Sequence, residues 1–169
     1  LEAAALLRDQ YDMQVCFAIA GSTVTSSDEE YLESLKKRRC KLGMIEEDFA
    51  FLGPKQTDEM IELYRRASVV TNLSPIGLFD KAALEAMATE TPVIVSNPAF
   101  DNLLGKHVDL LRVERPDDAE GVAERLAGLL SLSVAERAKI GQELRARTIV
   151  EHGLDRLMTR ITELVQEGS

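Results

Sequence analysis

Short apolar runs alternate along this chain with longer stretches in which apolar side chains recur three and four positions apart. Residues 1–11 read as the end of a helix. MQVCFAIA, residues 13–20, reads as a buried strand. SDEEYLESLKKRRCKLG reads as an exposed helix, capped by Ser27 with Glu30 as its capping-box partner and stopped by Gly43. DFAFLG is a short strand, and QTDEMIELYRRA an amphipathic helix with Met60, Leu63 and Tyr64 on one face. SVVTNL is a third strand, FDKAALEAMATE a helix and PVIVSN a strand. VDLLRV is a further strand running to Val113. DDAEGVAERLAGLLS, SVAERAKIGQELRARTIVEH and LDRLMTRITELVQEG are helices; Ser133 and Glu136 form a capping box on the second, and the third follows Gly153.

Strands that alternate with helices imply βαβ units, a parallel sheet and right-handed crossovers, with helices on both faces. The fold class is α/β. Ligands of such sheets bind outside the carboxyl ends of the strands, which directs attention to the loops 20–26, 53–57, 73–80 and 96–102. No repeat, low-complexity tract or linker interrupts the pattern, so the chain reads as one domain.

The totals agree with a globular domain. The chain has 169 residues, 45% of them hydrophobic and 29% charged. That length suffices for one hydrophobic core. A net charge of −9 argues against nucleic acid or an anionic membrane as a partner of the whole surface, though not against one local basic site. No apolar run approaches the ~18 residues of a membrane span, and no signal peptide is legible. The chain opens without methionine and reads as a piece of something longer. Cys16 and Cys40 read as buried or incidental thiols of a reducing compartment.

The loop after the third strand carries the densest chemistry. A helix starting near Phe79 presents free backbone N–H groups, which bind anions and phosphate above all. Gly77 lets the backbone approach a ligand or take a positive φ. Lys81 either adds a cation to that phosphate or is a solvated surface lysine. Asp80 reads as a cap or a structural acceptor, and as such competes with a bound phosphate. Glu85, nearly two turns into an apolar helix, needs a partner: a pair of ligand hydroxyls, as in a ribose, or a neighbouring Arg or Lys.

Other loops signal less. Gly21, Ser22 and Thr23 suit a ligand-facing loop or merely a turn, and Gly53, Pro54 and Lys55 can line the same crevice. Ser96, Asn97 and Pro98 read as a turn. His107 and His152 lie far from these loops in the pattern, which makes a catalytic triad or a zinc site improbable.

Together, FAIAG, LKKRRCKLGMIEEDFAFLGPKQTDEMIELYRRASVVTNLSP, LEAMATETPVIVSN and DLLRVERPDDAEGVAERLAGLL resemble the carboxy-terminal half of family 4 glycosyltransferases. The resemblance runs from about Val15 to the last helix. It implies a two-domain GT-B enzyme whose carboxy-terminal, Rossmann-like domain is a three-layer sandwich around a parallel sheet and binds a nucleotide-sugar donor. An amino-terminal domain, absent here, binds the acceptor. Most such enzymes transfer hexosyl groups with retention and need no metal or cofactor. The second glutamate of their Glu-x7-Glu motif, which holds the donor ribose, maps onto Glu85. The loop whose amides hold the diphosphate maps onto Gly77, Leu78, Phe79, Asp80 and Lys81, and the base-contacting loop onto Pro54 and Lys55. Gly21, at the end of the first strand, is counted with them.

Three departures stand out. Gly77 occupies the position of the first motif glutamate, which contacts the donor sugar. Gly77-Leu78-Phe79-Asp80 replaces the usual Glu-Gly-Phe-Gly; a Gly-x-Phe-Asp-Lys version occurs in some members, and Asp80 or Lys81 is the candidate to take over the sugar contact. Glu90 stands where a glycine is common, a change read as structural. The family's upstream basic segments, which neutralise the leaving diphosphate, would precede residue 1, so this chain alone is expected to bind nucleotide weakly and catalyse little. The expected location is cytoplasmic, with peripheral membrane association left open through the missing domain and no nucleic-acid partner. The competing reading is a glycosyltransferase-like module that has lost catalysis and recognises a partner. A flavodoxin-like receiver or a dinucleotide-binding domain fits poorly, because no Gly-x-Gly-x-x-Gly follows the first strand and no early acidic cluster is present.

Overall fold

The structure is a computed structural model that describes residues 1–74 and 80–167. After α1 (Glu2–Tyr11) the chain forms a first βαβ unit, β1 (Phe17–Ala20), α2 (Ser26–Lys41) and β2 (Phe49–Gly53). Helix α3 (Thr57–Arg66) leads to a second, β3 (Val70–Asn72), α4 (Lys81–Ala88) and β4 (Val93–Val95). Short helical turns α5 (Asp101–Leu104) and α6 (Val108–Leu111) follow, then α7 (Ala119–Leu130), α8 (Val134–His152) and α9 (Leu154–Glu167). Both units pair their strands in parallel, Phe17 opposite Phe49 and Val70 opposite Val93. The expected parallel sheet is therefore present as two strand pairs, in a Rossmann-like α/β architecture.

β4 is the centre of the core. Val93, Ile94 and Val95 are all fully buried, as a strand covered on both faces must be. Helices α4 and α7 both pack on it, α4 backed by α8 and α7 by α1. Leu7, Met87, Phe100, Leu126 and Leu144 bring those helices into one apolar cluster. A smaller cluster of Ala4, Met44 and Phe49 sits under β2.

Three expectations are corrected. Residues 108–113 are not a strand: 108–111 form α6, and Arg112 alone bridges to Val95. An alternating pattern there would mix a charge into either face, Arg112 with Val108 and Leu110 or Asp109 with Leu111 and Val113. A helical turn instead stacks Val108 over Leu111. β1 is not buried, since Ala18 and Ile19 face solvent, Ile19 at 46% exposure. Helix α2 buries none of its residues, and Cys16 and Cys40 are exposed, which leaves the incidental one of their two readings. The cap of α2 is Thr25, paired with Asp28, two residues ahead of the expected Ser27 and Glu30. The stop at Gly43 holds, with a φ of 70°, and so does the Ser133–Glu136 capping box on α8.

The turn between α4 and β4 explains Glu90. Its φ is 66°, the left-handed region in which a side chain costs about 1 kcal/mol and glycine costs little. Its Oε1 lies 3.2 Å from Arg145 Nη1 on α8, an exposed pair. Against the same turn packs Gly141, where any Cβ would overlap the Glu90 carbonyl oxygen. Glu90→Gly is expected to raise stability by about 1 kcal/mol, less a few tenths for the lost exposed pair. Gly141→Ala is expected to lower it by about 1–3 kcal/mol. Urea midpoints of the two variants check both signs.

Glu143 of α8 holds the turn before α6, with Lys106 Nζ and His107 Nε2 each 2.9 Å from its carboxylate. Those two hydrogen bonds, Lys106 first, lower its pKa to about 2 from an ordinary 4.5. A depressed carboxylate stabilises the fold above its unfolded pKa and loses that contribution as pH falls through its folded value. Between pH 4.5 and 2 the parent is therefore expected to lose more stability than Glu143→Gln, measured as urea midpoint against pH.

Candidate functional site at the strand ends

The carboxyl ends of β3 and β4 meet the start of α4. Asp80 is the N-cap of that helix: its Oδ1 accepts the Ala82 amide at 2.9 Å, and its Oδ2 accepts the Ser74 hydroxyl at 2.7 Å. The Ser74 carbonyl in turn accepts the hydroxyl of buried Ser96, from the end of β4, at 2.9 Å. Asn72, 8% exposed, closes the group from the end of β3. The Asn72 and Ser74 side chains and the Ala82 amide hold the Asp80 carboxyl below the ordinary carboxylate range, so it is ionised at neutral pH. Asp80 is thus the cap and structural acceptor that the sequence suggests. The helix starts at Lys81 rather than near Phe79.

Lys81 and Glu85 face outward one turn apart. Lys81 Nζ lies 3.7 Å from Glu85 Oε1, with Lys81 87% and Glu85 43% exposed at the side chain. An exposed pair of this kind contributes about 0.5 kcal/mol or less. Its order, lysine before glutamate, is the weaker one, and a cation in the first turn opposes the helix dipole. The pair therefore does little for the helix, and both groups remain open to solvent. Tyr64 of α3, 7% exposed, lies in the apolar cluster shared with α4. Burial, then the charges of Glu85 and Asp80, push the Tyr64 phenol up in pKa.

The other strand pair carries the remaining candidates. The Gly21 amide donates to the Gly53 carbonyl at 2.9 Å, which joins the two loop starts. Pro54 follows at the surface. Lys55 lies 3.3 Å from Glu59, whose carboxylate also accepts the Gln56 amide that opens α3. Gly21, Pro54 and Lys55 are thus gathered at one strand pair, and Asp80, Lys81 and Glu85 at the other. Gly77, Leu78 and Phe79 lie outside the described residues. His107 is taken up by Glu143. Among the described residues no cluster of three or more His, Cys, Asp or Glu could hold a metal ion, and no helix is long and apolar enough to cross a membrane.

Sequence reasoning gave Asn72 and Ser74 no role and read Ser96 only as part of a turn. A polar residue closing a buried strand was the available signal for Asn72 and Ser96.

The profile of the family described as glycosyl transferases group 1 matches residues 1–132. D-inositol 3-phosphate glycosyltransferase of Corynebacterium urealyticum is 36% identical over 97 residues, 57% of this chain and 22% of that protein. Among solved structures, an Anabaena protein in complex with UDP and glucose superposes with a TM-score of 0.81 at 19% identity, over 98% of this chain and 44% of its own. The carboxy-terminal domain of a Francisella tularensis glycosyl transferase group 1 family protein gives 0.75 at 23% identity, over 90% of this chain and 77% of its own. This chain thus spans about a fifth of the length of that curated relative. By the extent of the profile match, and with the GT-B fold of its structural neighbours, the chain belongs to the glycosyl transferases group 1 family.

Proposed function

We propose that this chain is the donor-binding domain of a retaining glycosyltransferase that transfers a hexosyl group from a nucleotide sugar, joined in the full-length enzyme to an amino-terminal acceptor domain. The observation that carries this reading is the Lys81–Glu85 pair: a cation set against the helix dipole and a half-exposed carboxylate, both at the carboxyl end of a parallel strand pair. A diphosphate at the α4 N-terminus would complement both the dipole and Lys81. Glu85, one turn further, has acceptor sites free for two ribose hydroxyls. Gly21, Pro54 and Lys55 would face the base from the other strand pair, and Gly77, Leu78 and Phe79 belong with the diphosphate loop. No metal or cofactor enters this scheme, and the enzyme is placed in the cytoplasm. The Anabaena structure, which holds UDP and glucose, makes UDP the first nucleotide to test.

A specific observation supports a second reading, a module that keeps the fold and has lost catalysis. Asp80 already occupies the Ala82 amide, and its fixed negative charge opposes a phosphate at the same helix end. Its oxygens are engaged within the protein, which also weakens its candidacy for the sugar contact left open by Gly77.

Transfer from radiolabelled sugar donors by the full-length enzyme separates the two readings, with calorimetric titration against UDP, GDP and ADP to identify the nucleotide. Sugar transfer supports the first; nucleotide or partner binding without transfer favours the second. In the full-length enzyme Glu85→Gln is expected to lower kcat/KM for the donor about 10- to 100-fold, the scale of hydrogen bonds to a charged group. Lys81→Ala is expected to weaken nucleoside diphosphate binding several-fold, with a shallower dependence on salt. Parent-like values in Glu85→Gln would remove Glu85 from the donor site, and parent-like values in Lys81→Ala would return that lysine to the solvated surface.

A further inference from the structure

We infer that the apolar face of α9 is a docking surface for the amino-terminal half of the full-length enzyme. The inference rests on the two-domain architecture proposed above and deepens it. Apolar residues recur along LDRLMTRITELV three and four positions apart, the spacing of one buried helix face. Yet every described side chain of α9 is exposed, with Leu154 at 70%, Met158 at 53% and Ile161 at 45%. Those three stand at i, i+4 and i+7, on one side of the helix. Exposed apolar residues scattered singly are ordinary, but a stripe of them is not. Ile149 and Val150, also exposed, end α8 just before it.

The place of α9 is built into the chain. Gly153 leaves the helical region with a ψ of 148°, and a Cβ there would overlap the Ile149 carbonyl oxygen. Arg156 donates to the Val150 carbonyl at 3.2 Å, which ties the start of α9 to the end of α8. The glycine thus ends one helix and the arginine fixes where the next begins, while its apolar stripe stays uncovered.

Chain length, area and charge together select the occupant. The Anabaena structure matches over 98% of this chain, hence over most of α9, and over 44% of its own, so more than half of that chain lies outside the match. An equivalent half in the full-length enzyme would be long enough to cover α9. The stripe of this 14-residue helix is about 21 Å long and on the order of 200 Å² in area. A free dimer needs about 800 Å² from each partner, whereas a domain on the same polypeptide docks at high effective concentration. A helix that lies on a membrane carries Lys and Arg in excess on its polar face. Here Asp155, Glu163 and Glu167 stand against Arg156 and Arg160.

The test is alkylation of single added cysteines in the native full-length enzyme, resolved by peptide so that Cys16 and Cys40 do not interfere. Met158→Cys and Ile161→Cys replace exposed side chains and leave the apolar clusters intact. Glu163→Cys, on the opposite side of the helix, is the control. The Met158→Cys and Ile161→Cys variants should react about tenfold more slowly than the control, at every enzyme concentration, because the docked face must open first. Equal rates in all three variants, in an enzyme that still transfers sugar, overturn the docking and leave the glycosyltransferase reading standing. Protection that disappears on dilution overturns it in favour of a second copy, and protection that appears only with anionic vesicles overturns it in favour of a membrane. Absence of sugar transfer by the parent enzyme counts against the donor reading alone, and the alkylation rates still decide the docking.

Discussion

One ionised carboxylate joins the parts of this molecule that face the expected ligand. Asp80 accepts from the Ala82 amide at the start of α4 and from the Ser74 hydroxyl beyond β3, and the Ser74 carbonyl accepts from Ser96 at the end of β4. Helix α4 could otherwise start at several places, since the FDKAALEAMA stretch has no strong breaker after Phe79. The cap selects Lys81 as the first helical residue, and that choice sets which backbone amides are free and which way Lys81 and Glu85 face. The same carboxylate has a depressed pKa, so the tie is present above the ordinary carboxylate range and is lost as pH falls through the folded value.

This arrangement puts two demands on one helix end. The cap wants a negative charge there, and a donor diphosphate bound as proposed would want the same place. Lys81 would reconcile them in part, because a cation beside Asp80 lowers the repulsion that a second anion meets. A similar compromise stands at the other end of the helix. Glu90 holds a left-handed turn that would suit glycine better, yet its carbonyl is the surface on which Gly141 of α8 closes. Strain at one residue is offset by close packing of α4 on α8, and α4 is held at both ends while its outer face stays open.

How much of this the sequence revealed depends on the range of the interactions. The Ser133–Glu136 box, the stop at Gly43, the amphipathic α3 and both βαβ units rest on patterns within a few residues or one period, and all are legible. The local rules fail where two local answers compete: Thr25–Asp28 outcompetes Ser27–Glu30 as a cap, and Val108 to Val113, a short apolar run, reads as a strand although its alternation mixes a charge into either face. They are silent where the partner is distant. Nothing near Ile19 announces that it is left exposed, and nothing near Tyr64 announces Thr91, whose hydroxyl its carbonyl accepts across 27 positions.

The two strand pairs differ in how firmly they are held, and the difference bears on the site. β3, β4 and α4 stand at the centre of the main apolar cluster, with β4 fully buried. β1 and β2 carry a smaller cluster, an exposed Ile19 and a helix that buries nothing. Segments with few buried apolar contacts open more readily than core elements. A ligand spanning both pairs would meet a pre-set surface at Asp80, Lys81 and Glu85 and an adaptable one at Gly21, Pro54 and Lys55. Pentose and diphosphate are common to the nucleoside diphosphate sugars, so a rigid cradle suits them. The base is the variable part of the donor, and the more loosely packed loops are the ones the resemblance assigns to it.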